Sequence, residues 1–376
     1  MTDLARWKLS RLPLTTGYPL LPFFLEQVTR MVKRPTLVLT RPSDRRTRSH
    51  RRRLLACSSL MMSLCITGHT TATADAQTAR GDDGASIKAV KRLGPRTLDL
   101  TIWSPAMRAD MPVRIILPKS WHKTTKRTFP VLYLLQGASD DYTSWTRETD
   151  VEALAKNADL LVVMPSGGRA GFYSNWWDHG SSTAPRWETF HTVEVRQLME
   201  RAYRAGRERA VIGLSEGGLG ALNYAARHPG TYRFVGSFSG IVDIADPIMQ
   251  LGIVATCLRE NTDPLRIWGH PDEQRKIWDA HNPSRMIGKF RNTWVHLYAA
   301  DGTQTKLDKS KDPLASLLEQ PLPKPTAKFA KKLRSAGVKV TINVSGAGTH
   351  SWPYWERELH NVWPSVLASL KVNRNG

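Results

Sequence analysis

The sequence predicts an α/β fold in which a doubly wound, mostly parallel sheet is flanked by helices. The first observation is a series of short, continuously apolar runs, which are typical of strands buried on both faces of a parallel sheet. These runs are 129–135, 159–164, 210–214, 234–238, 293–298 and 338–344. The second observation is that helical patterns lie between the runs, at 149–156, 190–205, 218–227, 326–336 and 354–370. Strands that alternate with helices predict right-handed crossovers and hence parallel pairing.

Residues 87–376 are predicted to form one domain. Its first two strands, 97–103 and 111–117, show alternating apolar residues. Two long stretches, 241–291 and 302–325, interrupt the later alternation of strands and helices. Because active sites in open α/β sheets lie beyond the carboxyl ends of the strands, we expect both stretches to lie there.

The segment ahead of this domain, residues 77–86, is predicted to be a flexible linker. It contains Gly81-Asp82-Asp83-Gly84, and such clusters of glycine and aspartate are typical of loops.

Residues 1–76 have the layout of a basic leader followed by an export signal. They hold 13 Lys and Arg against 4 Asp and Glu, and their last basic cluster directly precedes the apolar segment 54–67. Alanines at 72, 74 and 76 then form cleavage sites of the A-x-A type. We therefore expect a secreted or envelope-associated protein that is cleaved near Ala74 to Ala76, with a retained anchor as the alternative. A translation start at Met31 would bring the signal close to the N-terminus.

Charge and cysteine content argue against several function classes. The net charge of the chain is +21, of which +12 falls after residue 76. Because this later charge is diffuse and the sequence that carries it contains no nucleic-acid recognition module, a nucleic-acid partner is not expected. Cys257 is the single cysteine after the predicted signal, so no intrachain disulfide is expected. The sequence has no C-x-x-C pair, H-E-x-x-H motif, P-loop or Rossmann glycine fingerprint. We expect neither a cofactor nor a metal.

The strongest single motif is Gly213-Leu214-Ser215-Glu216-Gly217. An apolar run leads into it and a helical pattern begins at Gly218. This is the context of a G-x-S-x-G nucleophile elbow, in which small flanking residues permit a sharp turn that exposes the serine hydroxyl. The motif predicts acyl transfer through Ser215.

A serine nucleophile needs a base, and the base needs an acid that orients it. His350 is the predicted base, because it lies in a loop between the last strand and the last helix. Two residues remain open as the acid. Asp301 directly follows the run 293–298, while Glu319 lies within the second interrupting stretch. Spacing alone favours Asp301.

Backbone N–H groups are expected to stabilise the oxyanion of the reaction. The amide of Glu216 follows the nucleophile at the N-terminus of the predicted helix, where the helix dipole assists. The amide of Ala138, in the loop after the run 129–135, is the predicted second donor.

Several segments together resemble the antigen 85 mycolyltransferases and their wider esterase family, which has the α/β-hydrolase fold. They are spread over about residues 95–370, and the most specific is Gly348-Thr349-His350-Ser351-Trp352-Pro353-Tyr354-Trp355. The other blocks are 134–145, 163–176, 187–190 and 213–215.

The resemblance implies a single α/β-hydrolase domain that forms an acyl-enzyme on Ser215, with His350 as the base. It also implies a different acid. The family's glutamate lies in a Phe-Leu-Glu-Gly stretch, and Leu317-Leu318-Glu319-Gln320 stands at the matching place, with Glu319 31 residues before His350. Asp301 matches a family asparagine. On this basis we expect Glu319 to be the acid, with Asp301 as the alternative.

The family's trehalose-contacting Asp-Gly-Leu-Arg loop is replaced by Gln136-Gly137-Ala138-Ser139, which has neither the carboxylate nor the arginine. We expect Gln136 and Trp352 to contact the substrate.

The leading hypothesis is a secreted serine carboxylesterase or acyltransferase that acts on an ester or lipid. One alternative is a mycolyl- or diacylglycerol-type acyltransferase of the cell envelope, with a sugar or glycerolipid acceptor. A second alternative is a non-catalytic envelope-binding protein, and in each case envelope contact is at most peripheral.

Overall fold

The computed structural model describes residues 78–122, 126–344 and 346–372. The predicted leader and signal, 1–76, lie outside the described residues. No helix within the described ranges is both long and apolar enough to cross a membrane.

A nine-stranded sheet with the order β1-β2-β3-β5-β4-β6-β7-β8-β9 forms the centre of the domain. Strands β1 to β3 pair antiparallel, and β3 pairs antiparallel with β5. All pairs from β5 through β4 and β6 to β9 are parallel, which confirms the predicted mostly parallel sheet. The strands are β1 (Ser86–Arg92), β2 (Thr97–Ser104), β3 (Ala109–Ile116), β4 (Phe129–Leu135), β5 (Leu161–Pro165), β6 (Ala205–Leu214), β7 (Phe234–Phe238), β8 (Trp294–Tyr298) and β9 (Val340–Asn343).

Helices cover both faces of this sheet. They are α1 (Ser144–Glu148), α2 (Val151–Leu154), α3 (Trp187–Thr189, continued by the π-helical Phe190–Val195 and by Arg196–Tyr203), α4 (Glu216–Arg227), α5 (Pro247–Arg259), α6 (Leu265–Trp268), α7 (Arg275–Ala280), α8 (Pro313–Glu319), α9 (Pro323–Ser335) and α10 (Trp352–Ser369). Helices α5 to α8 lie in the two stretches that interrupt the sequence pattern.

The continuous apolar runs are explained by burial on both faces. On β4, Tyr133 and Leu135 pack into a core with α3, α4 and α9, while Leu132 and Leu134 pack on the opposite side with α10. Because neither face of the central strands meets water, no polar alternation is needed.

The predicted flexible linker is wrong for residues 80–86. Ala85 is fully buried, Arg80 forms an antiparallel bridge with Ser86, and the Gly81 amide donates to the Ala85 carbonyl at 2.7 Å. The Gln197 side chain on α3 donates to Asp82 at 2.6 Å. Composition could not reveal this packing, because the partner of Asp82 lies more than a hundred residues away. The linker leads directly into β1, an edge strand that the sequence pattern did not predict.

Candidate active site

The register of the parallel strands brings three loops to one edge of the sheet. Leu135 of β4 pairs with Gly213 of β6, and Leu214 pairs with Phe238 of β7. Because these strands end side by side, the loop after β4, the turn after β6 and the loop after β7 are neighbours.

Ser215 occupies a strained turn between β6 and α4. Its φ and ψ are 52° and −120°, and its amide donates to the Phe238 carbonyl at 2.8 Å. The flanking glycines are required by close backbone approach. A Cβ on Gly213 would lie 2.0 Å from the Gly217 carbonyl oxygen, and a Cβ on Gly217 would lie 2.4 Å from that of Gln136. This is the elbow geometry predicted from the motif.

Three side chains form a hydrogen-bonded chain at this turn. His350 Nε2 lies 2.9 Å from Ser215 Oγ, and His350 Nδ1 lies 2.7 Å from Glu319 Oε2. The loop before α10 carries His350, whose amide donates to the Ala315 carbonyl of α8 at 2.9 Å. Since Glu319 ends α8, the same helix positions both the carboxylate and the imidazole.

The Glu319 carboxylate is fully buried and has further donors. Ser239 Oγ and the Ala300 amide each donate to Glu319 Oε1 at 2.8 Å. Trp355 donates from its indole nitrogen to Ser239 Oγ at 3.0 Å, and its ring packs edge-on against His350. A buried charge needs such partners, because desolvation otherwise penalises it by several kcal/mol.

Asp301 is exposed and does not contact His350. Its Oδ1 accepts a hydrogen bond from the Thr303 amide at 2.8 Å, so its carboxylate caps the turn after β8. Of the two acids that the sequence left open, the structure brings Glu319 to the histidine.

The two predicted oxyanion donors are the amide of Ala138, a residue of the cleft wall, and the amide of Glu216, which directly follows Ser215 in the chain. Ala138 and Ser215 both line this cleft, and Glu216 is the first residue of α4. Neither amide has a hydrogen-bond partner among the described residues. Both N–H groups are therefore free to bind a ligand oxygen.

A polar network, which we call the Glu260 clamp, holds the loop that carries Ala138. It comprises Ser139, Arg169, Arg259 and Glu260. Ser139 has a φ of 64°, its hydroxyl donates to the Glu260 carboxylate, and Arg259 donates to that hydroxyl. Arg169 forms an ion pair with Glu260, and its carbonyl accepts from the Ser139 amide at 2.8 Å. The Glu260 side chain is 8% exposed. The sequence did not predict the clamp, because its members come from two loops and from the end of α5, which are far apart in the chain.

The prediction that Gln136 contacts the substrate is wrong. The residue is 1% exposed, and its side-chain amide nitrogen donates to the carbonyls of Asp140 at 2.6 Å and Gly168 at 3.0 Å. Its Oε1 accepts from the Gly167 amide at 3.3 Å. Gln136 therefore ties together the loops after β4 and β5, since its side chain bonds a carbonyl of the first loop and both a carbonyl and an amide of the second. Trp352, in contrast, lines the cleft, and its contact with a substrate stays a prediction.

The Glu216 side chain is a buried carboxyl that the motif did not identify. Its Oε1 accepts from the Phe172 amide at 2.7 Å. Burial, opposed by that hydrogen bond, raises the pKa of Glu216 to about 8. The protonated side chain thus links the elbow to a loop where Phe172 and Tyr173 both have positive φ.

The cleft above Ser215 encloses about 810 Å³. Much of its wall is aliphatic and comes from the two interrupting stretches, as their predicted position above the strand ends implies. Helix α5 contributes Ile248 and Met249, and the segment around α8 contributes Leu314 and Leu318. Cys257, on α5 itself, is in contrast fully buried, and burial raises the pKa of its thiol, as expected of a core residue.

One trio among the described residues has the composition of a metal site. Asp150, Glu356 and His360 place ligand-type atoms within 4.8 Å of one another. His360 already lies 2.7 Å from Asp150 Oδ1, and the Asp150 amide donates to Glu356 at 3.1 Å. The trio is thus a surface cluster held by its own hydrogen bonds.

Comparison with known proteins adds to this geometry. A sequence model of the family described as Esterase matches residues 104–365. The chain is 33% identical over 260 residues to the diacylglycerol acyltransferase/mycolyltransferase Ag85B of Mycobacterium leprae, covering 66% of this chain and 78% of that protein. It is 29% identical over 298 residues to the corresponding Ag85A of the same organism, covering 76% and 87%.

Solved structures show the same fold at lower identity. MPT51 of Mycobacterium tuberculosis superimposes with a TM-score of 0.60 and 23% identity, over 75% of this chain and 99% of that chain. An S-formylglutathione hydrolase from Agrobacterium tumefaciens superimposes with a TM-score of 0.57 and 16% identity, over 76% and 99%. These likenesses confirm the predicted α/β-hydrolase architecture.

Proposed function

Because the chain belongs to the esterase family, in its antigen 85-like branch, we propose that it is a serine carboxylesterase or acyltransferase acting through an acyl-enzyme on Ser215. The observation that carries the proposal is the hydrogen-bonded chain from Ser215 through His350 to Glu319, at the base of a largely aliphatic cleft.

The first half-reaction forms the acyl-enzyme. Ser215 Oγ attacks the ester carbonyl carbon as its proton passes to His350 Nε2, and the Glu319 carboxylate stabilises the imidazolium that results. The amides of Ala138 and Glu216 donate to the oxyanion. When the tetrahedral intermediate collapses, the bond to the leaving alcohol breaks, and that alcohol takes the proton from His350.

The second half-reaction releases the acyl group. Water or an acceptor alcohol attacks the acyl carbon, again transferring a proton to His350 Nε2. Collapse then breaks the bond to Ser215 Oγ, which recovers the proton. Water as the acceptor yields a free acid, whereas an alcohol yields a new ester.

The test is substitution of the nucleophile. Ser215→Ala is expected to lower kcat/KM for p-nitrophenyl butyrate by about 10³-fold or more, because a triad nucleophile acts together with its base. Ser335→Ala, at an exposed position on α9, is the control. Wild-type turnover by Ser215→Ala would reject the proposal, and a fluorophosphonate probe should label the wild type and not this variant.

A second candidate function is acyl transfer to a sugar or a diacylglycerol of the cell envelope. It is supported by relatives named diacylglycerol acyltransferase/mycolyltransferase. Trehalose or diacylglycerol added to the assay should then divert product from free acid to new ester, as detected by mass spectrometry. Hydrolysis that no acceptor alters would reject it.

We also propose export of the protein on residues 1–76, which the leader pattern supports. Intact Ser215, His350 and Glu319 side chains within hydrogen-bond distance support an enzyme over a non-catalytic envelope-binding protein.

A further inference from the structure

Positive charge is concentrated on one face of the domain. The sequence has no Asp or Glu in the stretch 320–355, which carries six Lys and Arg. Five of these cations are exposed on α9, and the sixth, Lys339, is exposed just before β9. The segment ahead of β8 adds exposed Lys289 and Arg291 on either side of Phe290.

These segments meet in the fold. Phe290 packs against Phe329 of α9, with ring centroids 6.0 Å apart. Lys339 Nζ lies 3.3 Å from the centre of the Trp294 ring, at the start of β8. We call the surface that results the basic face. It comprises Lys289, Arg291, Lys328, Lys331, Lys332, Arg334 and Lys339.

No carboxylate neutralises this face within the described part of the chain. None of its seven cations forms an ion pair there. Glu208 is paired with Arg233, whose carbonyl accepts from the amide that begins β8, and Asp279 is paired with Arg285. The acids beside the face are therefore already engaged by other arginines.

The arrangement on α9 is unfavourable for the helix itself. Lys328 and Lys332 are four residues apart, and Lys328 and Lys331 are three apart. Like charges at these spacings repel and destabilise a helix. The helix dipole favours cations in the last turn, which does not account for Lys328 or for the cations outside α9. An anionic partner would relieve this repulsion.

The basic face is directed outward, at the end of the sheet opposite the cleft. Arg291 and Lys339 precede β8 and β9, whose carboxyl ends point toward the cleft, and none of the seven cations lines the cleft. Cations on the outer surface of a helix do not enclose a small anion. Phe329 and Leu333 are buried beneath the face, so α9 has no apolar side free to enter a lipid layer.

We propose that the basic face binds a linear polymer of phosphate groups and thereby tethers the chain with its cleft open. Five of the seven cations are lysines, which bind phosphate as point charges, whereas bidentate recognition of carboxylates favours arginine. From Lys328 to Arg334 the row rises about 9 Å along α9, so that successive phosphates of one polymer can meet it. A membrane on this face would leave the cleft pointing away from the lipid.

The test measures binding of the full chain to long-chain inorganic polyphosphate over a range of salt concentrations. Joint substitution Lys328→Gln, Lys331→Gln and Lys332→Gln should weaken binding about 30- to 100-fold at about 0.15 M salt. It should also reduce the slope of log K against log salt concentration by about 2, because three phosphate contacts no longer release counterions. Its thermal unfolding midpoint should not fall, since glutamine suits a helix and the repulsion is removed.

A matched control is present at the other end of the domain. Joint substitution Lys306→Gln, Lys309→Gln and Lys311→Gln removes the same charge from exposed positions near the cleft mouth. Its affinity for polyphosphate should stay within about threefold of that of the wild type. Residues 1–77 are identical in all variants, so their contribution cancels in the comparison.

Equal losses in the two triple variants would show attraction by overall charge and would overturn the proposal. Tighter binding of the wild type to polyglutamate, to single-stranded RNA or to phosphatidylglycerol vesicles of equal anionic charge would also overturn it. Ser215→Ala should bind polyphosphate as the wild type does. The tether and the proposed catalytic function can therefore fail independently.

Discussion

Glu319 and Asp301 both follow β8 in the chain, and one of them reaches His350. Asp301 is nearer to β8 in the chain, but its carboxylate accepts a hydrogen bond from the neighbouring Thr303 amide. Glu319 lies at the end of α8. Its carboxylate is hydrogen-bonded to Ser239 after β7, to the Ala300 amide after β8 and to His350 before α10. The choice between them depends on how α8 folds back over the sheet, which spacing along the chain does not report.

Glu319→Gln is therefore expected to lower kcat for p-nitrophenyl butyrate by about 10²- to 10⁴-fold, because the imidazolium loses its anionic partner. Asp301→Asn, which keeps a side-chain oxygen for its turn, should retain kcat near that of the wild type. A larger loss for Asp301→Asn than for Glu319→Gln would reverse the assignment of the acid.

Glu216 predicts a pH dependence of stability. Its folded pKa of about 8 exceeds the ordinary value of 4.5, so between these values the folded chain retains a proton that the unfolded chain releases. Retention of this proton by Glu216 stabilises the folded chain fully at low pH. That stabilisation, on the order of a few kcal/mol, is lost as pH rises toward 8.

Glu216→Gln should remove that slope. The free energy of unfolding is measured in urea at about pH 5 and about pH 8. The value for the variant minus that for the wild type should be larger at about pH 8 than at about pH 5. Glu194, whose pKa burial raises to about 7, is common to both proteins. Parallel pH profiles would show that Glu216 does not titrate as described.

At the scale of elements, helix α5 has two roles that its sequence pattern did not reveal. Its face toward the cleft supplies aliphatic residues, and Glu260 at its C-cap holds Ser139 next to Ala138. The sequence indicated that 241–291 would lie above the sheet, but it predicted no helix there and did not specify which loop the end of α5 would contact.

The Glu260 clamp predicts a loss in kcat without direct contact to substrate. Glu260→Gln weakens the ion pair with Arg169, and a shift of the Ala138 amide should lower kcat about 10- to 100-fold with a smaller change in KM. Glu208→Gln, which breaks an exposed ion pair with Arg233, is the matched control. A rise in KM alone, or an equal loss in the control, would contradict the positioning role.

At the scale of the whole molecule, the cleft exists because two separate insertions meet over the ends of the parallel strands. Helix α5 and the segment around α8 form walls that neither could form alone. Gly252 lies on the α5 wall, and a Cβ there would meet no atom within 4 Å. The open space at this position belongs to the cleft.

Gly252→Leu is expected to fill part of that space. The ratio of kcat/KM for p-nitrophenyl laurate to that for p-nitrophenyl acetate should fall about tenfold, because a long acyl chain needs the occupied volume. The free energy of unfolding should rise by up to about 1 kcal/mol, since glycine disfavours a helix interior. Gly288→Leu, at an equally open site outside the cleft, should not change the ratio.

The sequence by itself determined the fold class, the elbow at Ser215 and the placement of His350. These depend on hydrophobic periodicity and on short motifs whose backbone constraints are local, such as the glycines at 213 and 217. Resemblance to a family pointed to Glu319, which local spacing alone did not favour.

Tertiary structure decided the rest. The isolation of Asp301, the structural use of Gln136, the packing of residues 80–86, the Glu260 clamp and the aliphatic walls all depend on contacts between residues far apart in the chain. A polar side chain becomes a catalytic, structural or exposed group according to the partners that folding brings to it. Those partners are set by the packing of helices on the sheet, which no local pattern encodes.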